Sequence, residues 1–266
     1  MKGGAVMELM ELARQAEPIL REAGELVRSM AHPKVYTKEG HANFVTEADL
    51  ASQKFLLERL SPLVPGAHFF AEEQKQNRME PGYNWVIDPI DGTTNFMRGY
   101  RPSAISVGLV EDGQGVLGLV LDPWSGELFC GVKGQGAFCN GEPIRAAQVP
   151  MENAIVVFGT TPYRRDLAAP TFQVVEEIFL RCGDVRRSGS AALDLCYVAA
   201  GRCDGFFEGR LSPWDYAAAS VILREAGARI GPSLGFEEPQ LILAGSGAVY
   251  QALAEIVREK WSYDRV

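Results

Sequence analysis

Residues 88–96 read Asp88-Pro89-Ile90-Asp91-Gly92-Thr93-Thr94-Asn95-Phe96, directly after the apolar run Trp85-Val86-Ile87. The apolar run predicts a short buried strand over 85–87. Asp-Pro and Asp-Gly are turn-forming dipeptides, and Thr-Thr-Asn supplies caps for a following helix. Two carboxylates, three residues apart, would then leave the end of a strand beside a helix start. The first N–H groups of a helix are unpaired and its dipole is positive there, so the position favours an anion. Carboxylates beside such a seat repel phosphate unless divalent cations lie between them. The stretch points to metal-bridged phosphate binding, with a pair of ordinary turns as the plain alternative.

Around it, hydrophobic periodicity sets out the other elements. Leu9, Leu12, Ala13, Ala16, Ile19, Leu20, Ala23, Leu26 and Val27 recur at three- and four-residue steps, which predicts an amphipathic helix over 6–30. His32-Pro33 ends it. A second helix is expected over 46–60, stopped by Pro62. Apolar runs 104–110 and 116–121, split by Glu111-Asp112-Gly113-Gln114, read as a hairpin, and 127–132 and 136–139 extend the meander. The second half alternates. Strands are expected over 154–158, 205–208 and 241–244, and helices over 171–182, 190–200, 214–226 and, capped by Ser246, to residue 260. A seam falls near 146–152 without a flexible linker, so two closely packed halves are expected, 1–147 and 148–266.

The chain has 266 residues, a formal net charge of −8 and 47% hydrophobic residues, the make-up of an ordinary globular protein. Without a long basic run it is poorly suited to nucleic acid or to an anionic membrane surface. Cys130, Cys139, Cys182, Cys196 and Cys203 are odd in number and lack C-x-x-C spacing, so neither disulfides nor a zinc site are implied. Neither a signal-peptide core nor about 18 consecutive apolar residues is found, so a cytoplasmic protein is expected.

Three further segments carry acids that suit chemistry. Glu72-Glu73 follows His68-Phe69-Phe70-Ala71 and would leave the end of a strand, where one carboxylate could bind a hard cation and the other orient water. Thr46-Glu47-Ala48-Asp49 fits a capping box. Asp215, in Pro213-Trp214-Asp215-Tyr216, sits in the first turn of a helix, where an acid also serves the dipole. Two other patterns mislead. Gly113-x-Gly115-x-x-Gly118 has the dinucleotide spacing but lies in a hairpin and opens no helix. Gly231-x-Ser233-x-Gly235 resembles a nucleophile elbow, but His32, His41 and His68 all precede it, where a hydrolase of that type places its histidine last.

In the order Val45–Asp49, Ala71–Gln74, Asp88–Phe96 and Pro213–Ala218, the four segments together resemble the inositol monophosphatase family of lithium-sensitive, Mg²⁺-dependent phosphatases. Gly134-Gln135-Gly136-Ala137-Phe138-Cys139-Asn140-Gly141 adds to the likeness, which spans nearly the whole chain. The resemblance implies a mixed α+β, α/β fold, a layered α-β-α-β-α sandwich with the site between its halves, and a homodimer. It implies a first Mg²⁺ on Glu72, Asp88 and the Ile90 carbonyl, a second on Asp88, Asp91 and Asp215, and a weaker third near Glu72. Thr93, paired with Asp49, would activate the attacking water, with Glu73 supporting the metal-water shell. Backbone N–H groups of Gly92 and Thr93 would face phosphate. Asp91, Ala191 and Glu208 would contact the substrate ring, and Lys38 would stand at the mouth.

The implied reaction is hydrolysis of a small polyol phosphate, foremost myo-inositol 1-phosphate, by metal-activated water. The same chemistry on fructose 1,6-bisphosphate, NADP(H) or another sugar or nucleotide phosphate is the alternative, and a regulatory binding protein on this fold is the non-enzymatic one. The chain departs from the family pattern at Ala71 and Ala219, where Gly is usual, in a short 230–241 connection, and at Arg210 and Ser212 on the sugar side.

Overall fold

The computed structural model describes residues 8–31, 33–38, 44–232 and 234–261. In chain order the first elements are α1 (Leu9–Ser29), β1 (Val35–Thr37), β2 (Phe44–Thr46), α2 (Glu47–Leu60), β3 (His68–Ala71) and β4 (Tyr83–Asp91). Next come α3 (Thr93–Arg98), β5 (Ala104–Glu111), β6 (Gln114–Leu121), β7 (Leu128–Val132), β8 (Gly136–Cys139) and β9 (Glu142–Pro143). The second half carries β10 (Ile155–Phe158), α4 (Ala168–Arg181), β11 (Asp184–Arg186), α5 (Ala191–Ala199) and β12 (Gly205–Leu211). It closes with α6 (Pro213–Glu225), β13 (Arg229–Gly231), β14 (Gln240–Gly245) and α7 (Gly247–Lys260).

Strands β3 to β9 form a seven-stranded sheet in sequence order, antiparallel except for the parallel β3–β4 pair. The second sheet has the order β11-β10-β12-β14-β13, parallel over its first three strands and antiparallel beyond. Alternate strand residues face opposite ways, and this divides the apolar residues among three cores. Trp85 and Ile87 pack under α1 and α2, while Val86 between them points to the other face. Phe206 joins Val86 in the middle core with Tyr216 and the alanines of α5 and α6, and Phe207 lies under α4 and α7. The layers are therefore α1/α2, the seven-stranded sheet, α5/α6, the five-stranded sheet and α4/α7, the expected α-β-α-β-α sandwich. Its middle core mixes residues from both sides of the 146–152 seam.

The tightest contact in that core is made by glycines. Gly108, Gly118 and Gly131 are direct partners across β5, β6 and β7. A Cβ on Gly118 would stand 2.0 Å from the Ala218 carbonyl oxygen, and one on Gly131 would stand 2.6 Å from Ile222 Cα. On Gly108 it would lie 3.0 Å from Ala218 N. The row is a trough that receives the backbone of α6. Gly115 likewise makes room for Val221, and Gly113 takes φ 77° in the β5–β6 turn. The dinucleotide-like spacing thus comes from a hairpin and helix packing.

Several expectations are corrected. The strand expected to stop at residue 87 continues to Asp91. Its register shifts between Asp88 and Asp91, so the turn dipeptides are absorbed as a bulge, a place where Pro89 needs no ladder partner. The helix expected from 171 begins at Ala168, because Pro170 falls in the first turn, where its missing N–H costs nothing. β1, β2, β9, β11 and β13 were not expected, being too short for a period of two to register. The 205–208 strand extends to Leu211. The start of the first helix at residue 6, His32, His41 and Ser233 lie outside the described residues. The short 230–241 connection is still a hairpin, held where the Tyr216 hydroxyl donates to the Gly235 carbonyl at 2.5 Å.

If the trough sets the position of α6, Gly118→Ala should destabilise the fold by about 1–3 kcal/mol through overpacking. Urea unfolding measures this, and a change below about 0.5 kcal/mol, the size of an ordinary surface substitution, would contradict the role given to the trough.

Candidate active site

A cleft of about 580 Å³ opens where β4 ends, α5 and α6 begin and β12 passes. Asp88, Asp91, Gly92 and Thr93 line it from the first half, and Ala191, Glu208 and Asp215 from the second. One carboxylate oxygen from each of Asp88, Asp91 and Asp215 lies within 4.8 Å of the others. Three buried or nearly buried carboxylates converging in this way form a hard-oxygen donor set that could hold a divalent cation.

Each carboxylate is pinned by hydrogen bonds that follow from local structure. Asp88 Oδ1 accepts from Ile90 N at 3.0 Å inside the bulge. Asp91 Oδ2 accepts from the Ser190 hydroxyl at 2.6 Å and from Ala192 N at 2.8 Å, so the start of α5 fixes it. Asp215 Oδ2 accepts from Ser212 N at 2.7 Å, as the third residue of a capping box. Asp49 does the same for α2. Its Oδ2 accepts from Thr46 N at 2.8 Å and from the Thr46 hydroxyl. Its Oδ1 stands 3.2 Å from Thr93 Oγ1, which is also 3.1 Å from the Ile90 carbonyl. The capping-box reading of Asp49 and its pairing with Thr93 are therefore both present, on different oxygens.

The acidic pair after β3 behaves differently. Glu72 lines the cleft, but its Oε1 accepts from Lys38 Nζ at 3.0 Å, and the same ammonium donates to Glu73 Oε1 at 2.5 Å. Lys38 thus bridges both acids at the cleft edge. Glu72 stands outside the converging trio, although its charge is felt at Asp88 and Asp215. Glu73 is positioned by its N–H, which donates to Gln53 Oε1 at 2.9 Å. Glu208 Oε1 accepts from Thr161 N at 2.8 Å.

Sequence reasoning passed over Ser190, Thr161 and Asp194. Asp194 is 3% exposed and lines the same cleft. Its signal was there: a lone acid within Ala191-Ala192-Leu193-Asp194-Leu195. Ser190 and Thr161 act on acids distant in sequence and left no such mark.

Crowding and burial push these acids up. Burial is the main cause at Asp49, which rises to about 6 against the pull of the Thr46 hydrogen bonds. Burial also lifts Glu72 to about 7, opposed by the Lys38 charge, and Asp91 to about 6, opposed by Ser190. Asp88 is raised well above the carboxylate range by burial and then by Glu72 and Asp91. Asp215 is raised by burial and then by Asp91 and Glu72. At Lys38 burial acts downward, but the two glutamates outweigh it and leave the ammonium raised.

The profile of the family described as "Inositol monophosphatase family" matches residues 8–262. The chain belongs to this family. The Escherichia coli relative named Nus factor SuhB is 35% identical over 91% of this chain and 94% of its own. The Bacillus subtilis inositol-1-monophosphatase is 34% identical over 92% and 96%. The solved inositol monophosphatase of Anabaena (Nostoc) superposes with a TM-score of 0.83 at 30% identity, covering 96% of this chain and 98% of that one. Membership supports phosphatase activity, and the acidic cluster fits a metal-dependent family.

The raised carboxyls carry a stability signature. In the unfolded chain these acids ionise near pH 4, so the metal-free fold holds extra protons between about pH 4 and 7 and loses stability as pH rises through that window. The Tm of chelator-treated protein should fall from pH 5 to pH 8. Divalent cation should raise the Tm at pH 8 more than at pH 5. A chelated Tm that climbs across the interval would contradict the burial of these acids.

Proposed function

We propose that the chain is a Mg²⁺-dependent phosphomonoesterase acting on a small polyol phosphate, foremost myo-inositol 1-phosphate. The observation that carries this reading is the convergence of Asp88, Asp91 and Asp215 beside the Thr93–Asp49 pair. The family and the inositol-1-monophosphatase relative support it. Asp88, Asp91 and Asp215, with Glu72 and the Ile90 carbonyl on the near side, would hold two or three Mg²⁺. When bound, the ions supply charge neutralisation and lower the pKa of water from 15.7 toward about 7.

The other roles belong to the chain. Thr93 accepts a hydrogen bond from the attacking water while its own hydroxyl proton is directed to the Asp49 carboxylate. As the water passes its proton to Thr93 Oγ1, Thr93 passes its own to Asp49, which becomes the neutral acid. Backbone N–H groups at Gly92 and Thr93 meet the developing charge on phosphate. Gly92 must be glycine: its φ is 90°, and a Cβ would stand 3.0 Å from the Pro102 carbonyl oxygen. Glu208, Asp91 and Ala191 face the polyol. Glu73 and Lys38 flank the metal side. Because the water attacks directly, the configuration at phosphorus is inverted, and retention would overturn the scheme. Fructose 1,6-bisphosphate and NADP(H) fit the same chemistry, and a substrate panel separates them. A homodimer in the cytoplasm completes the reading; in the described residues, no helix is long and apolar enough to cross a membrane.

The Escherichia coli relative named as a Nus factor supports a second reading, in which the chain also acts through a protein partner. Affinity capture of the intact chain, with and without an Asp91→Asn substitution, separates partner binding from catalysis.

Phosphate release from myo-inositol 1-phosphate should require Mg²⁺ and be inhibited by Li⁺. Asp91→Asn should abolish turnover with little change in Tm. Thr93→Ala should lower kcat by roughly 10²–10⁴-fold, the usual weight of general acid–base assistance. Full activity in Asp91→Asn would remove the metal assignment.

A further inference from the structure

Three non-glycine residues among those described have positive φ: Asp112, Asn140 and Thr161. The first two lie at turns of the seven-stranded sheet, and Asn and Asp tolerate that conformation. Thr161 does not fit this account. It is β-branched, has φ 42° and is 1% exposed. Strain of this kind persists only where surroundings enforce it, and it concentrates at functional sites.

The surroundings here are a turn, in which the Thr161 carbonyl accepts from Arg164 N at 2.9 Å, and the Glu208 carboxylate. Parallel pairing of β10 with β12, extended by Gly159 N donating to the Phe207 carbonyl at 2.9 Å, lays residues 159–161 beside Glu208. Thr161 N donates to Glu208 Oε1 at 2.8 Å. Thr161 Oγ1 stands 3.3 Å from the same oxygen and 3.1 Å from the Arg210 carbonyl. On the other side, a Cβ at residue 159 would lie 1.9 Å from Glu208 Oε2, so Gly159 leaves the space that this oxygen fills. Gly159, Thr160 and Glu208 line the cleft, with Thr161 buried behind them. A carboxylate otherwise turns freely about its last torsion. Here one oxygen is tied from behind and the other rests in the cleft wall.

We propose that Thr161 is a positioning residue: by holding Oε1 of Glu208 it aims Oε2 as the acceptor for a hydroxyl of the substrate's polyol. This rests on the phosphatase reading above. The orientation is set before substrate arrives, which lowers the ordering cost of binding. It also favours substrates with a hydroxyl at that point, because a carboxylate desolvated without a partner opposes binding.

Two substrates, three single variants and one double variant test it, with the full chain and Mg²⁺. Thr161→Val keeps the N–H and the branched shape and loses the hydroxyl. It should raise KM for myo-inositol 1-phosphate roughly tenfold with kcat unchanged, and leave p-nitrophenyl phosphate, which has no hydroxyl to bind, unaffected. Thr161→Ser should restore the KM. Glu208→Gln should raise KM in the same direction, and adding Thr161→Val to it should add nothing. Equal loss on both substrates, or additive effects, would overturn the proposal. Calorimetric binding of myo-inositol in the presence of Mg²⁺ and phosphate separates the two readings. If wild-type protein binds inositol but releases no phosphate, the phosphatase reading fails, and inositol affinity in Thr161→Val then decides the positioning role. Roughly tenfold weakening supports it. Unchanged affinity, or no inositol binding by wild-type protein, overturns it.

Discussion

The backbone-to-backbone approach of α6 to the seven-stranded sheet governs the rest of the molecule. A helix normally stands off a sheet by the depth of its side chains. Here Gly108, Gly118 and Gly131, adjacent across three strands, remove that depth, and the backbone around Ala218 and Ile222 occupies it. The Ser106 hydroxyl then donates to the Trp214 carbonyl at 3.2 Å, fixing where α6 starts. Ser106 is also the ladder partner of Asp88. A single strand pairing therefore links the docking point of α6 to β4, and Asp215 arrives beside Asp88 and Asp91 from more than a hundred residues away.

That juxtaposition opposes folding. Burial raises the proton affinity of each of these carboxylates, and repulsion from neighbouring acids adds to it at Asp88 and Asp215. The fold tolerates them because one oxygen of each accepts hydrogen bonds from a bulge, a helix start or a capping box. One oxygen of each also takes part in the converging trio. Lys38 offsets part of the charge at Glu72 and Glu73. Structure and site thus share the same side chains: Asp49 caps α2 with Oδ2 and meets Thr93 with Oδ1, so a purely structural and a purely functional account of it are each half of the description.

Much of this was legible in the chain. The alternation of Trp85-Val86-Ile87 and of Phe206-Phe207 separates the three cores, and long helices such as α1 and α6 are marked by periodicity and stops. The acids converging in the cleft stand out as motifs because their neighbours form turns and caps. Less was legible where contact is made by what is missing. Gly118 showed itself only as part of a false nucleotide fingerprint, since a glycine that admits a distant helix looks like any other. The bulge at 88–91 read as a turn, because the same dipeptides serve both and only the pairing with β5 distinguishes them.

Local chemistry therefore sufficed for most element types and for marking the acids after β3, at the end of β4 and in the helix starts, which depend on residues within a few positions of one another, while the layered class followed from the family resemblance. Tertiary structure alone decided that Asp215 meets Asp88 and Asp91 in one cleft. It also decided that Ser190 serves Asp91 and that Thr161 serves Glu208. These pairings are set by the rotation and depth at which one layer meets the next, distances that no local spacing encodes.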